Sequence, residues 1–335
     1  MSFGAEMKRF LMLLLLFSAG DLLVQAQLPR IGPAEFPHLV SSARQGKSES
    51  QIQLGLAYQY GIGTQPDLQT AEYWLKSAAR YGDPHAQTQL GLLYLQPQFR
   101  QTHAAQAMQW FLRAAASQFA PAEHNLGMIY LHGIGTPQSD DQALRWFRKA
   151  ARHGSLQSQV YVGSILLKSS DPETRAEGFA TLQRTAEQGN GKAMNFLGYC
   201  YHKGNGTSPD MEQARRWYQA AADAGDPDGM HNLSVLYFTG QGVQQDRARA
   251  FQLNQRACDR GDRGSCATLA SAYLLGEGTS RNYALAYQFA LTAGLDEKFL
   301  TFAGAGLAPE KKVQAALEAE RWQHEHAFEL SVLPQ

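Results

Sequence analysis

The chain repeats itself. The pentads Leu54-Gly55-Leu56-Ala57-Tyr58, Leu90-Gly91-Leu92-Leu93-Tyr94 and Leu126-Gly127-Met128-Ile129-Tyr130 are followed in register by Val162-Gly163, Leu197-Gly198, Leu233-Ser234 and Leu269-Ala270. The leading residues lie 36, 36, 36, 35, 36 and 36 positions apart. A fixed period of that length means supersecondary units that bury their apolar faces only by stacking on one another. Such an array offers surface, so the first expectation is binding rather than catalysis.

Each unit reads as two helices. Apolar residues three and four apart around Leu-Gly-x-x-Tyr mark the first. A Gly-x-Gly turn follows at Gly61-Ile62-Gly63, Gly133-Ile134-Gly135, Gly204-Asn205-Gly206, Gly240-Gln241-Gly242 and Gly276-Glu277-Gly278. Glycine there supplies the positive φ that ends a helix. The second helix carries Ala-x-x-Trp-x-x-x-Ala-Ala-x-x-Gly, as in Ala71, Trp74, Ala78, Ala79 and Gly82, and again from Ala143 and Ala214. The small residues are expected to let helices approach closely, with the Trp filling the space beside them.

These elements, recurring in register over residues 48–294, resemble the Sel1-like repeat family, relatives of the tetratricopeptide repeat. The resemblance implies an all-α fold, a right-handed α-solenoid of seven helix pairs with capping helices at both ends. Two units depart from the pattern: the second has Gln96-Pro97-Gln98 in place of the glycine turn, and the fourth lacks the turn, the Tyr and the Trp. The expected organisation is a signal peptide over 1–26, an N-terminal capping helix over 27–47, the repeats, and a linker with a capping helix over 295–335. Phe36 to Gly46 reads as half a unit. Beyond Pro309, the residues Val313, Ala316, Leu317, Trp322 and Phe328 mark the expected apolar side of the last helix.

Lys8-Arg9, the apolar run Phe10 to Phe17 and the small-residue site Val24-Gln25-Ala26 read as a secretory signal peptide, too short to span a membrane. Cleavage near Ala26, with no cysteine after it, predicts an exported chain without a lipid or stable membrane anchor. Together with the family resemblance it points to a periplasmic location. Lys plus Arg and Asp plus Glu are both 30. No basic stripe suggests nucleic acid, and recognition has to rest on local patches.

Cys258 closes the second helix of unit six, and Cys266 opens the first helix of unit seven across a short turn. Helix-turn-helix geometry can bring the two together, and an oxidising compartment favours a bridge. The segment also looks like the cysteine-rich branch of the family, whose members staple each repeat. Cys200 is expected to be a buried free thiol.

By analogy with the tetratricopeptide fold, first helices line a concave groove. Positions two before, two after and five after the leading Leu are expected to face it. This selects His124, Met128 and Leu131, with His132 adjacent, in unit three, Asn195, Tyr199 and His202 in unit five, and His231, Val235 and Phe238 in unit six. The same rule selects Ile52, Leu56 and Gln59 in unit one and Thr88, Leu92 and Leu95 in unit two. Aromatic residues among them fit a protein interface. No Ser-x-x-Lys, Gly-x-Ser-x-Gly, His-Glu-x-x-His or phosphate loop occurs. No catalytic residue, metal site or cofactor is therefore expected. The resemblance implies an immunity protein that binds and neutralises a secreted phospholipase-type toxin of a type VI secretion system. The alternatives are a scaffold or adaptor of an envelope complex, and a penicillin-binding or hydrolytic protein of the cysteine-rich branch.

Overall fold

In the computed structural model the described residues are Ile31 and 35–326. The expected signal peptide and its cleavage site lie outside them, as does Phe328. Among the described residues there are seventeen helices and no strand. The N-terminal cap is α1 (Phe36–Arg44). Helix pairs follow: α2 (Ser48–Tyr60) with α3 (Leu68–Ala79), α4 (Pro84–Tyr94) with α5 (Pro97–Ala115), and α6 (Ala120–His132) with α7 (Asp140–Arg152). The fourth pair is α8 (Leu156–Leu166) and α9 (Pro172–Glu187). Then come α10 (Gly191–Lys203) with α11 (Met211–Asp223), α12 (Pro227–Thr239) with α13 (Arg247–Cys258), and α14 (Arg263–Leu275) with α15 (Tyr283–Ala293). The chain closes with α16 (Glu297–Ala303) and α17 (Pro309–Glu325). These helices fall into two compact halves that part at Val162–Gly163.

Local chemistry explains the helix ends. First helices stop where a glycine takes the left-handed conformation, for example Gly61 at φ 70° and Gly276 at φ 77°. Second helices start on a capping side chain: Asp67 accepts from the Gln69 and Thr70 amides, and Asp210 and Asp246 repeat the device. Each such oxygen satisfies donors that the first turn leaves unpaired. Where unit two lacks its glycines, Pro97 sits in the first turn of α5, which begins after only two residues and runs for 19. Proline fits there because its missing N–H has no helical partner to lose.

In the N-terminal half, α2, α4 and α6 pack side by side as one layer, and each also packs on its own second helix. The C-terminal half repeats this with α10 and α12. The Gly of each Leu-Gly sits where the two helices of a pair come closest. A Cβ on Gly127 would lie 2.5 Å from the Phe147 ring, and one on Gly198 would lie 2.4 Å from Tyr218. The large side chain at this crossing is the one after the Trp: Leu75, Phe111, Phe147 and Tyr218 are all fully buried. The tryptophans are only half-buried. Trp110 and Trp146 pack against the edge of the core and lie under Arg113 and Lys149, at 4.4 and 4.0 Å. The Trp thus packs at the edge while its neighbour fills the centre of the crossing, because the helical step from one to the next turns the latter into the pair. Gly82 and Gly154 are not close-approach residues either. Nothing would meet a Cβ there, and their φ of 83° and 93° makes them turn glycines.

Helices α1 and α17 stand at the two ends of the described chain. Leu39 and Ala43 of α1 pack with Leu54. The inner side of α17 is not the one the apolar residues suggested: Val313 and Leu317 are 60% and 56% exposed, whereas Ala315 and Ala319 are buried. The helix docks on α15 through these small residues, four apart, and through Trp322, whose Nε1 donates to the Cys258 carbonyl at 3.1 Å.

Candidate partner-binding surface

The positions chosen from the sequence have different fates. In α6, Met128 is buried and offers little to a partner. His124 is half-buried between the rings of Phe147 and Tyr161, at 5.3 and 5.4 Å, and its Nδ1 is 2.8 Å from the Ser158 hydroxyl. His132 is half-buried at the end of the same helix. In units one and two, Ile52, Leu56, Gln59 and Thr88 are buried and only Leu92 and Leu95 are half-open. Side-by-side packing of the first helices uses the surface that was assigned to a partner.

The C-terminal half is more open. Asn195 is buried and accepts from Asn232 Nδ2 at 2.8 Å, joining α10 to α12. His231 repeats the arrangement of His124, with Nδ1 at 3.2 Å from the Ser265 hydroxyl. The two His–Ser ties have the same separation of 34 residues, so this position couples one repeat to the next. Ser265 and Ser234 both donate to Asn254 Oδ1, at 3.2 and 2.9 Å. His202, half-buried near Tyr218, has its pKa lowered by burial and by the neighbouring Lys203. What remains outward is Tyr199 at 45% exposure and Val235 and Phe238 at 39% each. Tyr199 and Val235 hold the same position in consecutive first helices, and Phe238 lies one turn further on. Large apolar groups held on rigid helices at such a face are suited to burial against another protein.

Sequence reasoning missed a buried charged group at the base of this half. Asp226 caps α12 by accepting from the Gly229 amide at 2.8 Å. Its burial, with the like charge of Asp228 alongside, raises its pKa to about 7, against the pull of Lys192. The capping role was readable, since Asp precedes Pro227 at the helix start. The burial was not.

The disulfide joins Cys258 and Cys266, and Cys200 is a buried free thiol. The cysteines are eight residues apart. In earlier repeats the same register is closed by a hydrogen bond: Gln51 Nε2 donates to the Ala43 carbonyl and Gln87 Nε2 to that of Ala79. The bridge is thus a covalent form of a tie the first two repeats make with glutamine.

Among the described residues no three His, Cys, Asp or Glu side chains are placed to hold a metal ion. No described helix is long and apolar enough to cross a membrane.

Similar proteins agree with this architecture. The Sel1 repeat model matches residues 48–83, 84–119, 120–155, 191–226, 227–262 and 265–294, more than half of the chain. It passes over the fourth unit, the one without the glycine turn and the Trp. No curated protein matches the chain. Among solved structures, a Sel1 repeat protein from Oxalobacter formigenes is 28% identical, over 71% of this chain and 94% of that one, with a TM-score of 0.57. A protective antigen of uropathogenic Escherichia coli is 23% identical, over 88% and 72% of the two chains, with a TM-score of 0.48. An immunity protein of Pseudomonas aeruginosa is 19% identical, over 71% and 83%, with a TM-score of 0.46. With six matched repeats in register, the chain belongs to the Sel1 repeat family, an all-α repeat fold whose work is protein binding.

Proposed function

We propose that this chain is an exported, periplasmic immunity protein that neutralises a secreted phospholipase-type toxin by covering it. The observation that carries the reading is the outward row of Tyr199, Val235 and Phe238. Neighbouring groove positions are occupied by packing or by repeat-to-repeat hydrogen bonds, whereas these three are free to be buried by a partner. The basic-apolar-small pattern of residues 1–26 supports export. Neutralisation by occlusion needs affinity and shape, not a nucleophile, which fits a sequence without a serine-hydrolase motif.

The test is protection. The full chain is co-expressed with the toxin encoded beside it, the toxin being directed to the periplasm. Survival and loss of phospholipase activity in a mixture of the purified proteins are the expected results. Absence of protection, with both proteins folded and exported, removes the immunity reading in favour of an envelope scaffold. Hydrolysis of a lipid or cell-wall substrate by the purified chain alone would contradict both.

A further inference from the structure

The turn of the sixth repeat, like that of the third with Gln138, lacks the proline found in the first and fifth. In the first and fifth repeats a proline fills the corner: Pro66 and Pro209 would stand 2.9 and 2.7 Å from a Cβ on Gly61 and Gly204. In the sixth repeat Gln245 takes that place, no nearer than 3.4 Å to the equivalent point on Gly240, and its amide turns away to donate to the Phe238 carbonyl at 2.7 Å. The corner opens into a concavity of about 750 Å³ lined by Arg215, Tyr237, Val243, Gln245, Arg247 and Arg249, with Asp246 and two loop residues completing it.

Three arginines converge on this hollow. The Arg249 guanidinium lies over the Tyr237 ring at 4.3 Å and donates to Gln219 Oε1 at 3.4 Å. Arg247 lies over the Phe238 ring at 5.5 Å and reaches the Glu277 carboxylate only at 3.8 Å. Arg215 and Arg249 make no ion pair among the described residues. The one lining carboxylate, Asp246, is engaged in capping α13, where it accepts from the Arg249 amide at 2.9 Å. The hollow is therefore basic on a chain whose net charge is zero. Two of its guanidinium groups, those of Arg247 and Arg249, are held on aromatic faces, which lowers the entropy lost when they bind. Phe238, still 39% exposed, borders it. Arginine beside an exposed aromatic ring is the composition of a protein-interface hot spot, and guanidinium forks match carboxylates.

We infer that this concavity receives an acidic segment of a protein partner, with carboxylates on Arg215 and Arg249 and an apolar residue against Phe238. The inference needs only that the chain binds protein. It does not depend on that protein being a toxin, so the protection assay and the experiment below fail separately.

The probe is a labelled peptide, Asp-Glu-Leu-Asp-Glu with blocked ends, titrated into the full chain at low ionic strength. A Lys-Gly-Leu-Gly-Lys peptide and inorganic phosphate form the comparison arms. Saturable binding of the acidic peptide, weakening as salt rises, is expected, with no binding of the basic one. The charge reversal R215E/R249E should lower affinity at least about tenfold, whereas Arg216→Glu, on an arginine outside the concavity and already paired with Glu212, should leave it within about twofold. If the double variant loses its helical circular dichroism, Arg215→Gln replaces it, because Arg215 has no bond to lose, and a loss of about threefold or more is expected. No binding at low salt, equal loss in Arg216→Glu, an unchanged affinity in the reversed or Gln variant, or phosphate competing at concentrations equal to the peptide would each overturn the inference.

Discussion

Replacing Gly198 with alanine isolates the contact on which the first five helix pairs depend. Alanine is the better helix former by about 1 kcal/mol, so in a helix with free space the change stabilises. Here the new methyl would stand 2.4 Å from Tyr218 Cδ1, 2.6 Å from Cε1 and 2.9 Å from Cγ. Carbon atoms prefer about 3.5–4.0 Å. The ring is 1% exposed, so it has little room to yield and α10 and α11 must separate. Overpacking of this kind costs about 1–3 kcal/mol. With three ring atoms inside contact distance the upper part of that range applies, and after the helix-propensity gain the net loss is about 2 kcal/mol. Gly264 provides the control within the same fold. It lies in α14, and a Cβ there would meet nothing nearer than 3.6 Å. Gly264→Ala should therefore be neutral or stabilise by up to about 1 kcal/mol. Chemical denaturation followed by circular dichroism measures both. Coupling adds a second reading: in a Tyr218→Leu background the cost of Gly198→Ala should shrink, since the smaller side chain leaves space for the methyl. If Gly198→Ala is as harmless as Gly264→Ala, the close approach is not what requires glycine.

Three further outcomes follow from the same structure. Thiol titration of the denatured, unreduced protein should find one reactive group, Cys200, and three after reduction; reduction should cost about 2–3 kcal/mol, the entropy of a nine-residue loop. In the native protein Cys200, whose pKa burial pushes up to about 12, should resist alkylation at neutral pH, and rapid reaction would show that its helix face opens. Asp226 holds its proton more tightly folded than unfolded, so its contribution to stability should fall as pH rises from about 4 to about 7 and level off above. Asp226→Asn keeps a capping oxygen, as Asn190 does for α10, and should reduce that slope, the remainder belonging to Asp228, whose pKa burial also raises, while raising the melting temperature near pH 8. An unchanged slope would place the titration elsewhere.

The repeat was legible because packing enforces it in the first five units. Gly55, Gly91, Gly127, Gly163 and Gly198 each face a bulky side chain across the helix pair at less than 3 Å for an added Cβ, and no other residue fits, so the signal survives even in the fourth unit. The Gly-x-Gly turns were equally readable, since left-handed backbone leaves few alternatives. Side-chain direction was less so. Trp74 and Leu75 are adjacent, and the pattern does not tell which one turns inward. The same ambiguity put Val313 and Leu317 on the wrong side of α17, where two alanines let the helix sit closer than larger residues allow. The surface was harder still. His124 and His231 looked like interface residues until their serine partners, 34 positions away, were in place. That tie is recoverable only by reading the register of two successive repeats together.

The account rests on Tyr199 and Phe238 being held outward for a protein partner, and affinity tests this most directly. Titration of the proposed toxin partner into the wild-type chain and into the Tyr199→Ala/Phe238→Ala variant should show a loss of about thirtyfold or more, the effect of removing about 2 kcal/mol of anchor contact. Both side chains are exposed, so the variant should keep its helical content and melting temperature. Equal affinity of the two proteins would contradict the account and move the interface to another face of the repeats.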